Sequence, residues 1–262
     1  MNKNIGCTGE VSIVENFDAK AYSTTFVLIH GAWHGAWCWD KLVPILRVGG
    51  AKVVTIDCPG HGDDNSTLSY QNTDTYVAKV IEIIDREPSK VILVGHSLGG
   101  TIISNVAEKR PQKIQSLVYL SAALLQDGQN FGDIREHKTD WYSSQGFTVL
   151  SADKRSVTVK EDKAPFFYNG CSESDIEFAI TKLGGEVIAA LDGIVHITSK
   201  NYGSVPRYYI KTLQDLSVPL EMQDKMLDSM PVNKVYKLDT GHSSFFSDPQ
   251  GVATILFDIA KQ

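Results

Sequence analysis

Short runs of consecutive apolar residues alternate along this chain with longer stretches in which apolar residues recur every three or four positions. Phe26-Val27-Leu28-Ile29 is the first clear run, and 53–56, 91–94 and 117–120 repeat it. Unbroken runs, rather than apolar–polar alternation, predict strands buried on both faces, as in a parallel sheet. Between them, 73–86 lines up Tyr76, Val77, Val80, Ile81 and Ile84 on one helical stripe. Residues 97–110 do the same with Ile102, Ile103 and Val106, end on Lys109-Arg110 and meet Pro111, a helix-stop pattern. The strand–helix rhythm predicts an α/β fold, a mostly parallel sheet flanked by helices.

The rhythm stops after Ala123 and resumes at Arg207. Residues 124–206 are expected to form an inserted, mainly helical cap, a segment of the kind that often carries substrate selection. Within it Ser174-Asp175-Ile176-Glu177 resembles a capping box. It would open a helix carrying Ile176, Ala179, Ile180 and Leu183, closed by Gly184-Gly185. Beyond the cap, a strand is expected at 207–213, a helix near 218–228 and a strand at 234–238. A last helix starts at Ser247-Asp248-Pro249, a capping side chain followed by proline in the first turn. The expected organisation is an extension at 1–23, a core of 24–123 and 207–262, and the cap at 124–206.

Composition narrows the function classes. With 262 residues and 42% hydrophobic content, the chain can bury one large core. Twenty-five Lys and Arg against 31 Asp and Glu give a net charge of −6 with no basic block, so no nucleic-acid partner is expected. No run approaches the roughly 18 apolar residues of a membrane span, so no membrane partner is expected. The first twenty residues lack the apolar stretch of a signal peptide, and a cytoplasmic location is the expectation. Cysteines at 7, 38, 58 and 171 form neither a disulfide framework nor a zinc pattern. His30 and His34 straddle a strand end and a glycine-bearing loop and are read as structural. No metal and no other cofactor is expected, while a homodimer stays open.

Gly95-His96-Ser97-Leu98-Gly99 fits G-x-S-x-G in the strand–turn–helix setting that such a nucleophile elbow requires. A serine hydroxyl needs a base, and the base an orienting acid. His242, in Asp239-Thr240-Gly241-His242 between the last strand and last helix, is the candidate base. Asp215, after the strand at 207–213, is the favoured acid, with Asp239 as competitor. Acyl transfer also needs donors aimed at the developing oxyanion. The N–H of Leu98, after the nucleophile, and that of Ala32, in His30-Gly31-Ala32-Trp33, are the candidates, with Gly31 keeping bulk away. Trp33, Trp37 and Trp39 either line an acyl pocket or pack the core. In the cap, Trp141, Tyr142, Phe166, Phe167 and Tyr168 suggest an apolar or aromatic ester, with Gly31, Trp33, Trp141 and Phe167 as pocket residues.

Residues 26–37 and 90–100, with Tyr209-Ile210-Lys211-Thr212-Leu213-Gln214-Asp215, Val218-Pro219 and Gly241-His242, resemble the plant methylesterase and hydroxynitrile lyase family and its bacterial esterase relatives, on the α/β-hydrolase fold. The resemblance implies Ser97 as nucleophile, Asp215 as acid, His242 as base and Ala32 with Leu98 as oxyanion donors. The cyanogenic lyases of that family carry threonine after the loop histidine, lysine after the catalytic one, and Gly-Glu-Ser-Cys-Gly at the elbow. This chain has Gly31, Ser243 and Gly-His-Ser-Leu-Gly. The expectation is therefore a cofactor-free serine carboxylesterase acting on a small-molecule ester. A hydroxynitrile lyase and a non-catalytic small-ligand receptor are the alternatives, and serine at the nucleophile position argues against a dehalogenase.

Overall fold

A computed structural model of the chain describes residues 24–134 and 141–262; the extension expected at 1–23 lies outside them. Among the described residues, six strands form one parallel sheet in the order β2-β1-β3-β4-β8-β9. They are β1 (Thr25–Ile29), β2 (Lys52–Ile56), β3 (Val91–His96), β4 (Ile114–Leu120), β8 (Arg207–Thr212) and β9 (Lys234–Leu238). The unbroken apolar runs explain the middle of the sheet. Every residue of β1 and β3 is buried, and each large apolar side chain so buried contributes about 1.5–3 kcal/mol. Helices Thr73–Asp85 and Gly99–Lys109 pack together, and Leu42–Val48 packs on Pro249–Ala260, where Phe257 meets Phe26 edge-on at 6.1 Å.

The segment between β4 and β8 holds β5 (Thr148–Leu150), β6 (Ser156–Val159) and β7 (Gly185–Val187), an antiparallel sheet beside short helices. This second sheet adds to the mainly helical segment expected from the sequence. The helix there runs Glu173–Lys182 and is capped by Ser172, not Ser174. Ser172 Oγ accepts from the Asp175 N–H at 3.2 Å and donates to the Asp175 carboxylate at 2.7 Å, a cap two residues earlier. The last helix is capped as expected, Asp248 accepting from the Gly251 N–H at 2.8 Å with Pro249 in the first turn.

Candidate active site

The loops after β1, β3, β8 and β9 all leave the carboxyl ends of their strands, the edge at which open parallel sheets build sites. After β3 the chain turns within one residue. Ser97 adopts the left-handed region, φ 52°, and the turn is tight enough that a Cβ on Gly95 would lie 2.6 Å from the Gly99 carbonyl oxygen. Glycine at 95 is therefore required by space, and Ser97 is pushed outward at the start of the helix.

Asp215 is buried, and its carboxylate is fully engaged. Oδ1 accepts from the N–H groups of Ser217 and Val218, both at 2.8 Å. Oδ2 accepts from Thr212 Oγ1 and from His242 Nδ1, both also at 2.8 Å. With Nδ1 donating to a carboxylate, His242 keeps its lone pair on Nε2, the tautomer a general base requires. Asp239 instead accepts from Gln214 Nε2 at 2.9 Å and stays at the surface, so Asp215 is the carboxylate against His242. No hydrogen bond joins Ser97 Oγ to His242 among the described residues. The two are linked through His96, whose ring centroid lies 4.5 Å from that of His242 and whose Nε2 donates to the His242 carbonyl at 3.1 Å.

Histidine rings hold the carbonyls of the loop after β1. His30 Nδ1 donates to the Gly31 carbonyl at 2.8 Å and His34 Nδ1 to the Ala32 carbonyl at 2.7 Å. The other ring nitrogens accept, His30 Nε2 from the Cys58 N–H at 3.1 Å and His34 Nε2 from Tyr168 OH at 2.7 Å. Each ring is thus used as a neutral imidazole. Burial pushes the His34 pKa down to about 4, and burial likewise holds His30 and His96 well below the ordinary histidine value. Among the described residues, neither the Ala32 nor the Leu98 N–H donates to a protein acceptor, which leaves both for a ligand oxygen. A Cβ on Gly31 would lie 2.8 Å from Ser97 Cβ and 2.9 Å from His96 Nδ1.

The other candidates divide. Trp33 is buried with its ring 5.4 Å from both Tyr142 and Phe167, and its Nε1 donates to the Val157 carbonyl on β6 at 3.1 Å. Phe167 is also tied to the histidine loop, its carbonyl accepting from Ser243 Oγ at 2.8 Å. Trp141 begins the helix Trp141–Ser144, but its side chain lies outside the described residues. Trp39 is core, against Phe245 and His96. Trp37 stacks on His34 and borders an outer cleft of about 750 Å³ with Arg47, Asp57 and Lys182. Sequence reasoning missed Glu186 and named Tyr168 only among the cap aromatics; the contacts of Glu186 with Trp33 and of Tyr168 with His34 each span more than a hundred residues.

The sequence profile of the alpha/beta hydrolase family matches residues 26–255. The chain belongs to that family. Within the alpha/beta hydrolases, Methylesterase 17 of Arabidopsis thaliana is 31% identical, over 86% of this chain and 87% of its own length. The crystal structure of a methylesterase from Arabidopsis superposes with a TM-score of 0.81 at 28% identity, covering 91% of this chain and 99% of that one. A pyrethroid hydrolase from Sphingobium faniae does so with a TM-score of 0.81 at 26% identity, covering 91% and 97%. The chain spans 57–64% of the length of longer Arabidopsis thaliana relatives named as chloroplastic methylesterases. Among the described residues, no helix is long and apolar enough to cross a membrane.

Proposed function

We propose that this alpha/beta hydrolase is a serine carboxylesterase for small to medium apolar or aromatic esters, with Ser97 as nucleophile, His242 as base and Asp215 as orienting acid. The observation that carries the reading is the buried 2.8 Å contact from Asp215 to His242 Nδ1, which leaves Nε2 basic beside the serine elbow. His242 takes the Ser97 proton as Oγ attacks the ester carbonyl. The oxyanion rests on the N–H groups of Leu98 and Ala32, each such donor contributing about 3–4 kcal/mol in the transition state. Collapse expels the alcohol, protonated by His242, and water then releases the acid from the acyl-enzyme.

Trp33 and Phe167, with Tyr142, give the acyl side apolar neighbours, and residues 124–206 act as the cap. The names of the relatives, methylesterases and a pyrethroid hydrolase, support ester chemistry in kind. Gly31 and Ser243 weigh against the lyase alternative, since neither supplies a hydroxyl beside the oxyanion site nor a cation for departing cyanide. The same reading takes the partner to be a small-molecule ester, with no nucleic acid and no metal. It places the protein in the cytoplasm, which cell fractionation checks against the chloroplast named for the longer relatives. A homodimer is checked by light scattering.

The test is a panel of methyl, aryl, long-chain and bulky aromatic esters, run beside lactones and mandelonitrile. Wild type is expected to hydrolyse aryl acetates, and Ser97→Ala to lower kcat by about 10⁴ to 10⁶ while staying folded. Near-normal turnover in Ser97→Ala, or efficient cyanide release by wild type that Ser97→Ala abolishes, overturns the reading.

A further inference from the structure

Glu186 is a carboxylate buried to 1% exposure with no part in the chemistry described above. It sits on β7, in the inserted segment, and reaches the core on three sides. Oε1 accepts from Tyr76 OH at 2.8 Å and from the adjacent Val187 N–H at 2.9 Å. Oε2 accepts from His61 Nε2 at 3.1 Å and from the Trp33 N–H at 3.3 Å. A buried carboxylate is retained at a cost unless its partners satisfy it, and here four do.

The Trp33 bond is the informative one. Trp33 follows Ala32, the second oxyanion donor, and holds φ 66°, a left-handed conformation that a bulky residue adopts when its surroundings impose it. The peptide between Ala32 and Trp33 is gripped at both polar ends. Its N–H is held by Glu186, and its C=O by His34 Nδ1. The Trp33 carbonyl in turn accepts from the Gly184 N–H at 2.9 Å, also in the inserted segment. Holding that peptide restrains ψ of Ala32 and so places the Ala32 nitrogen; the preceding Gly31–Ala32 peptide, whose carbonyl His30 Nδ1 holds at 2.8 Å, completes the direction of its N–H.

We propose that Glu186 is a positioning residue for ester hydrolysis: from the inserted sheet it clamps the Trp33 N–H and so aims the Ala32 N–H at the oxyanion. His61 Nε2 donates to the same oxygen as Trp33, and Tyr76 OH to the other. One of the two oxyanion donors then points correctly when the inserted segment is seated on the core. This rests on the esterase reading above, and on Ala32 as a donor in particular.

The experiment compares Glu186→Gln, Tyr76→Phe and wild type on an aryl acetate, with kcat normalised to the folded fraction from near-ultraviolet circular dichroism. An arylboronic acid, which forms a tetrahedral adduct with a serine nucleophile, reports on the oxyanion site. Glutamine presents an NH₂ where one pair of donors points, so it cannot serve all four. Glu186→Gln is expected to lower kcat and boronate affinity together, by about 10- to 100-fold, with KM within about 3-fold. Tyr76→Phe, which loosens the same carboxylate on the side away from Trp33, is expected to lower the unfolding midpoint and keep kcat within about 3-fold. Should Glu186→Gln not fold, Glu186→Asp retracts the carboxylate from Trp33 by one methylene and is expected to lower kcat by about 3- to 10-fold at unchanged KM. Wild-type kcat in the folded Glu186 variant, a change confined to KM, or equal kcat losses in Glu186→Gln and Tyr76→Phe overturns the proposal. Hydrolysis that survives Ser97→Ala in the same assay instead marks a failure of the esterase reading.

Discussion

Ser97 and Trp33 both hold left-handed backbone next to the site, at φ 52° and 66°, and they are held there by different means. Such a conformation costs a non-glycine residue on the order of 1–2 kcal/mol. Ser97 is held mainly by its immediate surroundings. Its carbonyl accepts from the Gly100 N–H at 3.1 Å within the elbow and from the Ala123 N–H at 3.0 Å just past the neighbouring β4, and a Cβ at Gly95 would lie 2.6 Å from the Gly99 carbonyl oxygen. Trp33 is held by the inserted segment, through Glu186 at a separation of 153 residues and Val157 at 124. One oxyanion donor, Leu98, is therefore set by a local motif. The other, Ala32, is set by tertiary contacts that exist after the two layers have docked.

That contrast can be broken at several points. The largest effect is expected at the histidine. Asp215→Asn should lower kcat by about 10⁴, since the amide favours the wrong imidazole tautomer, whereas Asp239→Asn should leave kcat near wild type because Asp239 holds Gln214 instead. The opposite ranking in aryl acetate hydrolysis moves the acid to Asp239.

Next comes the space between the two donors. Gly31→Thr brings a Cβ within 2.8 Å of Ser97 Cβ, closer than the tightly turned elbow can yield, and should lower kcat by at least about 10², the size of losing one oxyanion donor. Adding Ser243→Lys should not produce cyanide release, because Ser243 is fully buried and its hydroxyl is bound to the Phe167 carbonyl, so a lysine there must bury its charge. Mandelonitrile cleavage by the double variant contradicts this.

The histidines sharpen the comparison through pH. Burial lowers the pKa of His30, His34 and His96 in the folded protein, whereas unfolded histidine titrates near 6.5. Below that value the unfolded chain binds protons that the folded one refuses, so stability falls as pH drops. For His34, whose folded value is about 4, the loss reaches on the order of 3 kcal/mol by pH 4. His61 runs the other way. Burial opposes its charge, but the Glu186 carboxylate beside it, helped by Asp57, raises its pKa. Its contribution is full below about 6.5 and is lost as pH rises through the raised value. Urea midpoints from pH 4 to 8 should therefore show an acid limb that flattens in His34→Gln and steepens in His61→Gln. Identical limbs in all three proteins contradict the assignment.

The smallest effect is expected from Trp33→Phe. It keeps the backbone clamps and deletes the indole bond to the Val157 carbonyl, costing about 1 kcal/mol and a few-fold at most in kcat. A large loss of kcat places the indole itself in the substrate's path.

The same division between local and long-range explains what the sequence made legible. Strands β1, β3 and β4 announce themselves by apolar runs, and the last helix by Asp248-Pro249, because burial on both faces and capping are written in neighbouring residues; β2, at the sheet edge, is only partly buried and its run is interrupted by Thr55. The elbow is legible for the same reason. Strands β5 to β7 are three or four residues long, too short for any periodicity, and β6 pairs with β7 across some 25 intervening residues. At the helix start, two serines two positions apart both suit a cap, and packing chose Ser172. Glu186 carries no local signal at all, being one acid among ordinary cap residues until His61, Tyr76 and Trp33 close around it.

Ester hydrolysis by this route acylates Ser97 covalently. Mixing the protein with excess aryl acetate, quenching in acid within the first turnovers and mapping the peptides by mass spectrometry tests it directly. A burst of aryl alcohol is expected, matched by an acetyl group on the peptide that carries Ser97, absent in Ser97→Ala and accumulating little in Asp215→Asn. Turnover without any acetyl adduct, or an adduct on another residue that persists in Ser97→Ala, contradicts it.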